Sequence, residues 1–263
     1  MIFNNVKHFY DTIQGWSHYL EHWYKYVIPT LPDRPRVVEV GCWHGRSTAC
    51  LAVELINCKQ DFELWAVDHW LGCNESYYSQ NVILDDLAND RPYLEFQKNL
   101  APVANKLQII RNTSVLAAAQ FEDNSLDLVI IDDDHDKEAV LHSIAAWWPK
   151  LKPGGLLCGD DHDARYPGVI NAVRQIFDLD YQLYTKLGWS DSHTGSAGVW
   201  VVTKDPNINI DSDQLAEDPW KLKIPYRTAP DPEPEIMEPI SEPPVEEIIP
   251  VSDLQNPNVR VIV

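Results

Sequence analysis

Glycine and hydroxyl residues follow a valine-rich run in residues 37–48, which read Val-Val-Glu-Val-Gly-Cys-Trp-His-Gly-Arg-Ser-Thr. The β-branched valines predict a strand that is buried on both faces. Gly41 and Gly45 remove side chains where the backbone has to turn sharply and approach a ligand closely. Ser47 or Thr48 is the predicted cap of the next helix, whose free N–H groups favour an electron-rich or anionic group. The stretch therefore predicts a ligand-binding turn.

Two acidic residues accompany this turn. Glu39 lies inside the predicted strand, where a carboxylate is costly to bury unless a polar group, such as a ligand hydroxyl or amino group, meets it. Asp68 ends the next apolar run, the position from which an acidic side chain hydrogen-bonds a ribose. The Gly-x-x-x-Gly spacing differs from the Gly-x-Gly-x-x-Gly of dinucleotide sites. The pattern thus favours a nucleotide-like ligand that is not a dinucleotide.

Strand and helix patterns alternate along the middle of the chain. Such alternation predicts an α/β fold with a mainly parallel sheet and helices on both faces. We expect strands at 37–40, 64–67, 107–110, 126–131 and 156–159, helices at 47–56, 93–100, 114–120, 137–151 and 168–177, and a closing hairpin at 183–187 and 199–202.

The predicted strands position the acidic residues. Asp68, Asp132 and Asp160 each follow directly after an apolar run. Ligands of parallel sheets bind beyond the carboxyl ends of the strands. We therefore expect these three side chains in one crevice.

Composition divides the chain into three parts. Residues 1–34 form an aromatic-rich helical segment that we expect to pack beside the sheet. Residues 35–204 carry the alternating pattern. Residues 205–263 are acidic and rich in proline, which predicts an extended or disordered tail that docks a protein partner or simply moves freely.

The motif Glu39-x-Gly41-x-x-x-Gly45 followed by Asp68 resembles the class I S-adenosylmethionine-dependent methyltransferases. The resemblance covers residues 35–204 and implies a Rossmann-like fold with a seven-stranded, mostly parallel sheet. Four further motifs make the resemblance more specific and point to small-molecule O-methyltransferases of the macrocin type. These motifs are Ile131-Asp132-x-x-His135, Trp147-Trp148-Pro149, Lys152-Pro153-Gly154-Gly155 and Gly159-Asp160-Asp161. The expected contacts of S-adenosylmethionine are Glu39, Gly41, Gly45, Ser47, Asp68, Ser114 and Asp132.

The same resemblance implies a metal centre. It places the fourth and fifth strands side by side, about 4.8 Å apart, and carries over Asp132, Asp160 and Asp161 as ligands of Mg²⁺ or another divalent cation. The resemblance also makes Asp134 the base that accepts the proton of the acceptor hydroxyl. His135 departs from the macrocin-type pattern, where an apolar residue is usual, and is a competing base because an unperturbed imidazole titrates at about pH 6.5.

We therefore expect a methyltransferase that acts on a hydroxyl of a small molecule, a saccharide or glycosylated metabolite, with a divalent cation. One alternative is a metal-independent methyltransferase that uses His135. Another is a non-catalytic S-adenosylmethionine-binding module, and a third is a nicotinamide-dependent oxidoreductase, which the glycine spacing disfavours. Aromatic residues that could line an acceptor pocket, although packing is favoured for each, are Trp43, Trp70, Tyr77, Tyr78 and Trp189.

Charge and hydropathy limit the classes of partner that the chain can bind. The net charge of −19 opposes binding to a nucleic-acid backbone. We expect no membrane partner, because no apolar stretch approaches 18 residues, the length of a membrane span. The first residues lack the pattern of a secretory signal, and the five cysteines form no Cys-x-x-Cys, so we expect reduced thiols and a cytoplasmic protein. The sequence is also compatible with a homo-oligomer.

Overall fold

The structure is a computed structural model and describes residues 4–15, 18–72, 90–185, 188–190, 198–208 and 210. Its helices are α1 (His18–Val27), α2 (Arg46–Cys58), α3 (Arg91–Leu100), α4 (Ser114–Ala118), α5 (Lys137–Trp147) and α6 (Pro167–Phe177). Its strands are β1 (Arg36–Val40), β2 (Glu63–Asp68), β3 (Gln108–Arg111), β4 (Leu126–Ile131), β5 (Leu151–Gly159), β6 (Gln182–Thr185), β7 (Gly188–Ser190) and β8 (Val199–Thr203).

These strands form one sheet in the order β3-β2-β1-β4-β5-β8-β6-β7. β1 to β5 pair in parallel, and β8, β6 and β7 pair antiparallel. The prediction of a mostly parallel sheet with a closing antiparallel hairpin is confirmed. The short strand β7 is an eighth strand, which lies in the sequence between the two segments predicted to form the hairpin.

The sheet separates two apolar layers because side chains of a strand point alternately to opposite faces. Val37 of β1 packs with Leu20 and Trp23 of α1, together with side chains of α2. Val38 packs on the opposite face with Trp147 of α5 and side chains of α6. Helices therefore cover both faces, as predicted.

The register of the central strands aligns their carboxyl ends. Val40 pairs with Val67 of β2 and with Ile131 of β4, and Ile131 pairs with Gly159 of β5. The residue that follows each of these positions therefore reaches the same edge of the sheet. This edge carries the site.

Two local predictions were wrong. The helix predicted from Ser47 begins at Arg46, and its N-cap is Gly45, with no side-chain cap bond. The strand predicted from residue 156 begins at Leu151, so residues 153–155 lie inside β5, whose register opposite β4 is irregular. Glycine at 154, with φ of 80°, allows the strand to continue through this irregularity.

Several parts of the chain, including most of the acidic tail, are not described by the structure. Residues 73–89, 191–197 and the residues beyond 210 lie outside the described part. The division into segments 1–34, 35–204 and 205–263 stays a prediction. In the described residues, no helix combines the length and the apolar character that a membrane span requires.

Candidate functional site

The turn between β1 and α2 is held against the neighbouring turn after β4. Gly41 has φ of 86° and Gly45 has φ of 85°, a conformation that favours glycine. A Cβ on Gly41 would collide with the backbone carbonyl of Asp132, and one on Gly45 would collide with the side chain of Leu100. Close packing between protein segments therefore requires both glycines.

Asp68 fixes the shape of this turn. Its Oδ2 accepts hydrogen bonds from the backbone N–H groups of Cys42 and Trp43, both at 2.8 Å. Its Oδ1 accepts the N–H of Trp70 at 2.6 Å. The carboxylate predicted to hold a ribose thus holds the glycine turn, and its Oδ1 retains lone-pair capacity for a ligand hydroxyl.

Glu39 lies beneath the turn, with 0% of its surface exposed. Tyr24 of α1 donates a hydrogen bond to its Oε1 at 3.2 Å. Burial raises the pKa of Glu39, while hydrogen bonds from Thr48, Ser47 and Tyr24 act in the opposite direction. The structure therefore joins this carboxyl group to α1 and to the first turn of α2.

Ser47 is 6% exposed and Thr48 is fully buried. Both lie inside α2, after its N-cap, and their hydroxyls face Glu39 and not the start of the helix. Since no side chain caps α2, its first N–H groups are suited to a carboxylate such as that of a methionine moiety.

Ser114 is the first residue of α4, whose N-cap is Thr113. Its Oγ accepts a hydrogen bond from Trp147 Nε1 at 3.0 Å and lies 2.8 Å from Ser143 Oγ. Ser143 donates in turn to Asp133 Oδ2 at 2.8 Å. The predicted adenine contact is thus part of a hydroxyl chain that leads to the loop after β4.

Asp133 was not among the predicted site residues. Burial raises its pKa to about 6, although hydrogen bonds from the Ser143 side chain and the Asp134 backbone lower it. The triple aspartate after β4 was the available signal. The sequence could not show that the middle aspartate faces α5, because that depends on the loop geometry.

Acidic groups converge at the ends of β4 and β5. Ligand atoms of Asp132, His135 and Asp161 all lie within 4.8 Å of one another. The shortest contact joins His135 Nε2 to Asp161 Oδ2 at 2.7 Å. The structure thus brings Asp132 and Asp161 together, as the sequence predicted, and adds His135 to this group.

Asp160 lies beside this group and is 7% exposed. Its Oδ1 is buried without a hydrogen-bond partner among the described residues. Burial, followed by the charge of Asp161, raises the pKa of Asp160 to about 8. Burial, followed by the charges of Asp160 and Asp161, raises the pKa of Asp132 well above its ordinary value. The cluster therefore carries more negative charge than its surroundings compensate.

Asp134 is more enclosed than its neighbour His135. It is 4% exposed, and its Oδ1 accepts the backbone N–H of Asp136 at 2.8 Å. The His135 side chain is 20% exposed, and its ring packs on Tyr166 with centroids 4.3 Å apart. Both residues line a small pocket whose other walls are Ile131, Asp132, Val140, Asp160, Val169 and Trp200.

The aromatic residues considered for an acceptor pocket have different surroundings. Trp70 is 2% exposed and packs against Tyr93 and Phe96, which makes it a core residue. Trp43 stacks on His44 with centroids 3.9 Å apart. Tyr77 and Tyr78, and the side chain of Trp189, lie outside the described residues.

Residues 38–162 match a family model described as a methyltransferase domain. A curated relative, the uncharacterized protein y4gI of Sinorhizobium fredii, is 26% identical over 186 residues. The alignment covers 66% of this chain and 19% of that protein. The chain therefore spans about a fifth of the length of this relative.

A solved structure has a similar fold. Cofactor-bound Rv0187 from MTB gives a TM-score of 0.50 at 16% identity, over 72% of this chain and 81% of that chain. The O-methyltransferase NovP gives 0.48 at 18% identity, over 70% and 77% of the two chains.

Proposed function

We propose that this chain is a methyltransferase of the class I type and that it transfers the methyl group of S-adenosylmethionine to a hydroxyl of a small molecule, a saccharide or glycosylated metabolite. A divalent cation assists the reaction in this proposal. The observation that carries it is the convergence of Asp132, Asp160, Asp161 and His135 beside the Gly41 turn.

The residues present fit both groups. S-adenosylmethionine, when bound, supplies a methyl group activated on a sulfonium. The uncapped N-terminus of α2 suits its carboxylate, and Asp68 suits its ribose hydroxyls. Asp132, Asp160 and Asp161 offer oxygen ligands, and Asp160 Oδ1 has no hydrogen-bond partner within the described part of the chain.

The chain's own residues supply the proton chemistry. An alcohol is a poor nucleophile until it loses its proton. His135 is the favoured acceptor because it is more exposed than Asp134, whose Oδ1 already accepts a backbone N–H. Asp161, 2.7 Å from His135 Nε2, stabilises the imidazolium that results. A bound divalent cation would lower the cost of negative charge on the acceptor oxygen.

A metal-independent reaction is the second candidate. The observation that favours it is the same His135–Asp161 contact, which orients a base without any cation. The two candidates differ in their dependence on Asp160, which takes part only in cation binding.

The test measures conversion of S-adenosylmethionine to S-adenosylhomocysteine over a panel of sugars, nucleotide sugars and catechols, with Mg²⁺ or with EDTA. Asp160→Asn is compared with Asp163→Asn, a matched control whose carboxylate is paired with Arg165 at 2.9 Å. The proposal expects turnover that EDTA and Asp160→Asn abolish while the control remains active. Turnover that survives both supports the metal-independent reaction, and cofactor binding without turnover on any acceptor supports a non-catalytic module.

A further inference from the structure

A second group of metal-binding side chains involves α2 and the segment that precedes α1. The Sγ of Cys50, an imidazole nitrogen of His8 and a carboxylate oxygen of Glu54 all lie within 4.8 Å of one another. Cys50 and Glu54 are one helical turn apart, so their side chains share a face of α2. His8 approaches this face from outside the helix.

The N-terminal segment is fixed where it brings His8 to α2. Val6 donates its N–H to Asn57 Oδ1 at 2.8 Å and accepts from Asn57 Nδ2 at 3.0 Å. Asn4 Nδ2 donates to the carbonyl of Ile56 at 2.9 Å. His8 Nε2 then lies 2.9 Å from Glu54 Oε1. The approach of His8 is therefore fixed by hydrogen bonds of the preceding residues to the end of α2.

An ion pair between His8 and Glu54 leaves part of the group unexplained. The Cys50 side chain is fully buried, and its Sγ makes a weak contact, 3.8 Å, with the carbonyl of Glu21. The buried His8 Nδ1 has no hydrogen-bond partner among the described residues. A thiol, an imidazole and a buried carboxylate together are the donor types of a transition-metal site.

We propose that His8, Cys50 and Glu54 bind one zinc ion, with water in the fourth position. A thiolate, an imidazole and a carboxylate are the usual zinc ligands, whereas Mg²⁺ and Ca²⁺ prefer oxygen alone. Zinc bonds of 2.0–2.3 Å place tetrahedral ligands about 3.5 Å apart. The three atoms, at most 4.8 Å apart, reach this geometry by side-chain rotation.

The ion would tie the N-terminal segment to α2. The same segment is already held at its other end, because Arg46 donates from Nη1 to the carbonyl of Ile13 at 2.9 Å. Arg46 begins α2 directly after the glycine turn. The zinc ion would thus hold the N-terminal segment against α2, behind the glycine turn. This role does not depend on the reaction proposed above.

Cobalt substitution of the full chain tests this site, because thiolate ligation of Co²⁺ gives a charge-transfer absorption band that carboxylate ligation does not give. The variants are Cys50→Ser, His8→Ala and, as a matched control on the same helix, Cys58→Ser. Competition with a chromophoric chelator measures zinc affinity. His8→Ala changes a side chain that is 29% exposed, so it tests the site even where Cys50→Ser fails to fold.

We expect a thiolate band that accounts for one cobalt ion per chain at this site, apart from any ion held by Asp132, Asp160 and Asp161, with loss of the band in Cys50→Ser and its retention in Cys58→Ser. His8→Ala should weaken zinc binding by more than about 100-fold, since even outer-shell partners contribute about 10–100-fold. Absence of the band in the unaltered chain overturns the proposal. An unchanged zinc affinity in His8→Ala also overturns it. Neither result depends on methyl transfer.

Discussion

His135 Nε2 lies 2.7 Å from Asp161 Oδ2, which joins the loop after β4 to the loop after β5. Asp161 takes a left-handed backbone conformation with φ of 56°, which is uncommon outside glycine, asparagine and aspartate. The contact thus depends on a backbone turn that aspartate tolerates. It places an imidazole where a carboxylate stabilises its protonated form.

The first prediction concerns the base. His135→Ala should lower kcat by about 10²–10⁴, the usual contribution of general base catalysis, with nearly unchanged affinity for S-adenosylmethionine. Asp134→Asn should have a smaller effect, because Asp134 is 4% exposed and already accepts a backbone hydrogen bond. Steady-state kinetics and calorimetric binding of the cofactor measure the two effects. A larger loss in Asp134→Asn would assign the base to Asp134.

The second prediction concerns pH. The pKa of Asp160 rises from 3.8 to about 8 on folding, through burial and the charge of Asp161. Between these values the unfolded chain has released a proton that the folded chain retains, so the free energy of unfolding should fall as pH rises from about 4 to 8. Urea unfolding in EDTA measures this decline, which should be shallower in Asp160→Asn. Mg²⁺ should restore stability near pH 8.

Parallel stability curves for Asp160→Asn and the unaltered chain would show that Asp160 does not titrate in this way. The Asp163→Asn variant serves as the control. Its carboxylate has a pKa lowered by hydrogen bonds from the Arg165 side chain, so its contribution to stability is lost as pH falls and not as it rises.

The third prediction separates close packing from backbone strain at the glycine turn. Gly41 and Gly154 both have positive φ, 86° and 80°. A Cβ on Gly41 would collide with Asp132, whereas a Cβ on Gly154 meets nothing within 4 Å. Gly154→Ala should therefore cost about 1–2 kcal/mol, the penalty of the left-handed conformation. Gly41→Ala should cost clearly more and abolish cofactor binding. Equal losses in thermal unfolding would contradict this difference.

The sequence predicted the positions of the central strands and the edge at which the acidic residues meet. This was possible because valine runs, glycine turns and helical periodicity are local signals. β4 was predicted at its observed bounds, Leu126–Ile131. The helix cap was wrong because α2 begins one residue earlier, at Arg46, directly after Gly45 in its left-handed conformation, so that Ser47 and Thr48 lie inside the helix.

Two other features depended on tertiary contacts. The glycines at 41 and 45 were expected to admit a ligand, but the structure requires them for packing against Asp132 and Leu100. The group of His8, Cys50 and Glu54 was not predicted, since the cysteines show no metal-binding spacing and His8 lies far away in the sequence.

The fourth prediction concerns Glu39 and α1. Tyr24→Phe removes the hydrogen bond to Glu39 Oε1 and should lower the free energy of unfolding by about 1 kcal/mol. Cofactor affinity should change little, because Tyr24 is fully buried. Tyr26→Phe on the same helix is the control, since Tyr26 is 56% exposed and surface changes usually stay within about 0.5 kcal/mol. A large loss of cofactor affinity in Tyr24→Phe would place Glu39 in direct contact with the ligand.

The most direct test of the account is calorimetric titration of S-adenosylmethionine into the full chain, with Mg²⁺ and with EDTA, beside NADH. The account predicts binding of S-adenosylmethionine and no binding of NADH. It also predicts a further heat when Mg²⁺ is added, which Asp160→Asn removes and Asp163→Asn retains. Failure to bind S-adenosylmethionine under either condition would contradict the proposed reaction, and binding without any Mg²⁺-dependent heat would contradict the proposed cation site.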